Sequence, residues 1–163
     1  MSHERFTTDE RFRTVTNPGV GMSTQRIVVG VDGSECSQQA LEWALDEATL
    51  RGAQVDVVCA WAPPVMAYAA VPVVMPYDPT ELEGAARTTV DTMVAETGRR
   101  DVNVEKIVAL GSAASTLLDV AKGADLLVVG SRGRGGFSGL LLGSVSQAVS
   151  HHAPCPVVIV REA

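Results

Sequence analysis

The sequence predicts an open, doubly wound α/β domain: a five-stranded parallel sheet with helices on both faces. Two observations predict it. Short apolar, β-branched runs alternate with segments of helical period in the order βαβαβαβαβ, and such alternation folds as a parallel sheet covered by its crossover helices. Hydrophobic content is 46% but aromatic content only 4%, so the core must be built of Val, Ala and Leu, which suits strands buried on both faces.

The elements follow in order. Residues 1–24 are polar and mixed in charge (Ser2, His3, Glu4, Arg5, Thr7, Thr8, Asp9), with little periodicity, and read as a disordered extension. Met22 stands just before the single domain expected over residues 25–163, so an upstream start is one reading of the extension. Arg26 to Val31 is the first strand, and Asp32-Gly33-Ser34 is its turn. Ser34 or Ser37 caps a helix that runs to about Arg51, with Leu41, Ala44, Leu45 and Ala48 on one face and Gly52 as its stop. Gln54 to Trp61 is the second strand. Ala62 to Pro79 is a proline-rich connection, long for its position, which suggests a lid or contact surface. Thr80 and Glu83 match a capping box ahead of a helix to about Gly98, with Leu82, Ala86, Val90, Met93 and Val94 inward. Asn103 to Leu110 is the third strand and Ser112 to Lys122 the third helix. Asp125 to Gly130 is the fourth strand, Gly143 to His151 or His152 a short helix, and Pro156 to Val160 the last strand.

Composition excludes several classes. A net charge of −6 argues against a nucleic-acid surface. Cys36, Cys59 and Cys155 are odd in number and far apart, with no CxxC pair, so neither a disulfide framework nor a zinc site is expected and a reducing cytoplasm is. Val57 to Tyr77 carries no charge and is long enough to span a bilayer, but it holds Pro63, Pro64, Pro72 and Pro76 and starts as a strand, so no membrane segment is expected. The N-terminus has no apolar stretch of the secretory type. His151 and His152 fall at a helix C-terminus, where cations are favoured. Met66, Met75, Tyr68 and Trp61 read as packing around the long connection, with Trp61 also a candidate wall for a base pocket.

The stretch from Val128 to Val145 carries the chemistry. An apolar strand enters a glycine-rich loop with two arginines and leaves through Gly143-Ser144 at a helix start. Glycines let backbone approach a ligand, and the first helical amides point at it with the positive end of the dipole. Two familiar phosphate loops fail here. A Walker A loop needs Lys before the Ser, and Gly143 stands there; a dinucleotide fingerprint on Gly133 and Gly135 would need glycine at Ser138. The spacing present is Gly-x2-Gly-x9-Gly-Ser, on Gly130, Gly133, Gly143 and Ser144.

With the strand before it and "HHAPCPVVIV" after it, this spacing resembles the ATP-binding, UspA-like subgroup of the universal stress protein family, over roughly residues 26–161. The resemblance implies an adenine-nucleotide alpha-hydrolase-like fold with strand order 3-2-1-4-5. It then puts the crevice between the first and fourth strands, since ligands bind where strand order reverses. It implies that Asp32, within "VGVDGS", contacts the nucleotide. On that basis Gly30, Val31, Asp32 and Ala60 would hold base or ribose. Gly130, Ser131 and Gly133 would admit ribose and phosphate, and Arg132 and Arg134 would screen charge or remain a solvated loop. Gly143, Ser144, Val145 and Ser146 would clamp phosphate. The expected cofactor is ATP or cyclic AMP, with Mg²⁺ held at Asp32 through water as an option. The expected role is a nucleotide-dependent stress or signalling regulator in the cytoplasm. It is not expected to be an enzyme, because the loop offers no catalytic base and slow hydrolysis is the most it supports. The alternatives are a cyclic AMP-binding protein of the same fold and a nucleotide-independent dimeric interaction module. A homodimer through Val157–Val160 is expected, with neither nucleic acid nor membrane as partner.

Overall fold

The computed structural model describes residues 12–15, 25–68, 71–74, 76–135 and 141–161. The five expected parallel strands are β2 (Arg26–Gly30), β3 (Gln54–Trp61), β6 (Val104–Leu110), β7 (Leu126–Gly130) and β8 (Val157–Val160). They lie in the order β6-β3-β2-β7-β8, the 3-2-1-4-5 arrangement implied by the resemblance, and all pair in parallel. Four helices link them: α1 (Glu35–Arg51), α2 (Pro79–Glu96), α3 (Ala113–Val120) and α4 (Ser144–His152).

Alternation along the strands divides the core in two. Ile27, Val29, Val55, Val57 and Val128 pack with Leu41, Ala44 and Leu45 of α1 and with Ala86, Val90 and Met93 of α2. The residues between them (Val28, Val58, Leu127 and Val129) point the other way, onto Leu117 of α3 and Val149 of α4. A period of two on strands covered from both sides produces this division.

The caps show why helices start where they do. Ser34 caps α1 by accepting from the Ser37 amide at 3.2 Å, and Gly52 ends it in the left-handed region at φ 64. For α2 the expected Thr80–Glu83 box is replaced by Asp78. Its Oδ1 accepts from the Thr80 amide at 2.8 Å and from the Thr80 hydroxyl at 2.6 Å, with Pro79 in the first turn. Proline needs no partner for its nitrogen there, so the helix starts one residue earlier than Thr80.

Three strands were not anticipated. Residues within the supposed disordered extension form β1 (Phe12–Val15), antiparallel to β6 at the sheet edge, so the parallel five gain a sixth strand; the rest of 1–24 lies outside the described residues. The long connection folds as a hairpin, β4 (Val65–Tyr68) against β5 (Val71–Val74). Pro72 falls within β5, and each strand of a two-stranded ribbon has a free edge, where proline is tolerated.

At the opposite end of the sheet from the strand carboxyl termini, Arg26 holds a buried carboxylate. Its Nη1 pairs with Asp56 Oδ2 at 2.6 Å, and its Nη2 donates to the carbonyls of Val120 at 3.0 Å and Lys122 at 2.7 Å. Asp56 is 2% exposed, and its other oxygen accepts from Gln54 Nε2 at 2.8 Å.

Candidate functional site

The strand order reverses between β2 and β7, and a cavity of about 370 Å³ opens there at their carboxyl ends. That volume lies within the usual range for small-molecule sites. Its walls include apolar side chains, Val58, Ala113, Leu117, Val129 and Leu142, together with the glycine-rich loop and the start of α4.

Twelve of the thirteen residues singled out in the sequence line this cavity: Gly30, Val31, Asp32, Ala60, Gly130, Arg132, Gly133, Arg134, Gly143, Ser144, Val145 and Ser146. Ser131 does not. It is buried and ties the loop together instead. Its amide donates to the Val160 carbonyl at 2.7 Å, and its carbonyl accepts from the Gly143 amide at 2.7 Å and the Ser146 hydroxyl at 2.8 Å. The Ser146 hydroxyl is therefore engaged with the loop, and what Ser146 presents to a ligand is its backbone.

The start of α4 is built for an anion. Gly143 occupies the cap position in extended conformation (φ −80, ψ 169) and supplies no side-chain hydrogen bond. The next amides, of Ser144, Val145 and Ser146, have no partner within the helix because of where they stand in the first turn. They open on the cavity with the positive end of the α4 dipole.

The glycines have different reasons. A Cβ on Gly130 would lie 2.9 Å from the backbone of Cys36, so this position is kept bare by the approach of α1 to β7. A Cβ on Gly30 would lie 2.8 Å from Leu117 Cδ1. A Cβ on Gly133 would run into the Asp32 carboxylate. Gly143 has ordinary clearance, with its nearest neighbours at 3.5 Å.

Asp32, two residues beyond the end of β2, is one of the cavity walls. Burial pushes its carboxyl up, but hydrogen bonds from the Ser34 hydroxyl, the Arg134 amide, the Ser34 amide and Ser37 outweigh burial and hold it below the ordinary value. It is therefore an anion at neutral pH. Cys59, on β3, is pushed up to about 11 by burial and by the Asp32 charge, against a smaller opposing effect of Arg134, so it is an inert thiol. Trp61 packs against the first core and is not among the cavity walls. Among the described residues no cluster of three or more His, Cys, Asp or Glu could hold a metal ion, and no helix is long and apolar enough to cross a membrane.

Sequence reasoning missed Ala113 and Leu117. The signal was present: α3 returns from β6 to β7 over the same face as α4, which brings its first turn beside the crevice.

Fold and cavity define a class: a doubly wound α/β protein with a crevice at the switch point, where such folds hold ligands, and a helix N-terminus lining it. The model of the Universal stress protein family matches residues 23–161, and the chain belongs to that family. A universal stress protein of Mycolicibacterium smegmatis is 40% identical over 139 residues, covering 83% of this chain and 45% of the relative. The chain thus spans about half the length of the curated relatives it matches. Among solved structures, a universal stress protein from Archaeoglobus fulgidus is 25% identical with a TM-score of 0.64, over 83% of this chain and 93% of that one. A universal stress protein solved in complex with cAMP is 27% identical with a TM-score of 0.57, over 83% and 95%.

Proposed function

We propose that the chain binds an adenine nucleotide in the β2–β7 crevice, ATP in preference to cyclic AMP, and acts as a nucleotide-dependent regulator in the cytoplasm. The observation that carries this is the N-terminus of α4, without a side-chain cap, opening on a cavity that is also lined by apolar side chains. A base fits the apolar walls near Ala60, Val58 and Leu117, and phosphates fit the amides of Ser144 to Ser146 with Arg132 close by. The likeness to a relative complexed with cAMP supports an adenine nucleotide as the ligand class. Preference for ATP rests on the run of consecutive free amides, which suits a chain of phosphates more than one cyclic phosphate.

The role is binding rather than catalysis. Among the described cavity walls Asp32 is the only carboxylate, and no histidine stands there to serve as a base. Any Mg²⁺ would be carried in with the phosphates and reach Asp32 through water. Calorimetric titration of the nucleotide-stripped chain with Mg-ATP and then cyclic AMP tests the reading. Tighter binding of ATP is expected. Binding of cyclic AMP alone would make this a cyclic-nucleotide sensor, and binding of neither would favour the dimeric interaction module.

The same reading includes a homodimer through β8. Its four apolar residues are only half-buried, and β7 is its one neighbour among the described strands. A Val158→Lys variant is expected to fall from dimer to monomer in light scattering. A dimeric variant would place the interface elsewhere.

A further inference from the structure

Asp32 stands where a ligand contact was expected, yet its oxygens are largely taken by its own chain. Oδ1 accepts from the Ser34 amide at 3.0 Å and the Ser34 hydroxyl at 2.6 Å. Oδ2 accepts from the Arg134 amide at 2.9 Å, across 102 residues of sequence. An ionised carboxylate has about four acceptor sites, so most of its capacity is used. Two glycines lie close to the groups that make this bond. A Cβ on Gly133 would strike Asp32 Oδ2, and a Cβ on Gly33 would strike the Arg134 guanidinium. Gly33 also has φ 81, which other residues rarely adopt. Gly133 thus abuts the accepting carboxylate, and Gly33 the movable end of the Arg134 side chain, beside the hydrogen bond that joins the β2 turn to the glycine-rich loop. In this latched form Gly133, Arg134 and Gly135 are themselves cavity walls.

We infer that Asp32 is a positioning residue: a latch that holds residues 133–135 at the start of the glycine-rich loop as cavity walls, and so governs nucleotide affinity through them. The inference rests on the nucleotide reading above, but its first readout needs no ligand. A loop rich in glycine has much conformational freedom to lose. Without the latch a nucleotide would have to order the loop as it bound, and affinity would drop accordingly. The second glycine of the Gly-x2-Gly spacing is then required by the carboxylate before any ligand arrives.

The test combines hydrogen exchange of the Arg134 amide in the nucleotide-free chain with ATP affinity. It uses the native chain, Asp32→Ala, Gly133→Ala and the double variant. The latch predicts that each single variant speeds Arg134 exchange and weakens ATP binding by roughly tenfold, and that the double is no worse than the worse single, because both break one bond. Exchange in the β2 and β7 amides should stay native, which separates loop release from unfolding. Native exchange at Arg134 with additive affinity losses would overturn the latch and make Asp32 a direct ligand contact. If the native chain binds no nucleotide but Asp32→Ala still frees the Arg134 amide, the latch stands and the nucleotide reading fails.

Discussion

A Gly143→Asp variant is expected to lose ATP affinity by about a hundredfold or more while melting at or above the native temperature. Position 143 is the cap of α4, and it has room for a side chain: the nearest atoms to a Cβ are at 3.5 Å and φ is −80. Aspartate is among the best cap residues, so it should accept from the first amides of the helix and stabilise it by a few tenths of a kcal/mol over glycine. Those are the amides proposed to hold phosphate. The new carboxylate occupies them and adds a negative charge where the ligand brings its own. Loss of charge-assisted hydrogen bonds at roughly 1.5–3 kcal/mol, with repulsion added, gives the hundredfold. Calorimetry and a thermal melt on one preparation check both halves. Weak binding together with a lower melting temperature would mean that the substitution damaged the fold and said nothing about the cradle.

The largest stability effect is expected at the other end of the sheet. Arg26→Ala should cost about 3 kcal/mol or more, because it leaves the Asp56 carboxylate buried without its cation. Asp56→Ala should cost less. Arg26 is part-exposed and keeps the carbonyls of Val120 and Lys122 as acceptors. The asymmetry follows from burial: the more enclosed charge suffers more when its partner goes. Urea unfolding of both variants reads it directly from the midpoints at unchanged slope. Equal costs, or a larger cost for Asp56→Ala, would mean that the pair is held by packing around the arginine stem and not by enclosure of the carboxylate.

Much of this molecule was legible in its sequence because its signals are local and periodic. The strands declared themselves as β-branched runs such as Ile27-Val28-Val29, and the helix starts as Ser34 and Gly143. What stayed hidden depended on long-range pairing. Strand β1 is short, and its partner β6 lies some ninety residues away, so no local pattern marks it. The β4–β5 hairpin was masked by uniform apolar content, which carries no alternation to read. At the site, spacing located the cradle but did not distinguish glycines that admit a ligand from glycines that admit the protein itself. Gly130 is bare for the Cys36 backbone and Gly133 for Asp32, while a Cβ at Gly143 would meet only ordinary contacts. Ser131 and Ser146 looked like donors, yet their bonds to each other and to Gly143 join the two ends of the loop.

The measurement that bears most directly on the central claim is a backbone amide NMR titration of the stripped chain with Mg-ATP. Saturable shifts are expected at Ser144, Val145 and Ser146, from phosphate at the α4 amides, together with shifts at Val31 and Ala60, which line the same cavity. Shifts that leave the start of α4 untouched, or that cluster on β8 or the hairpin, would contradict it.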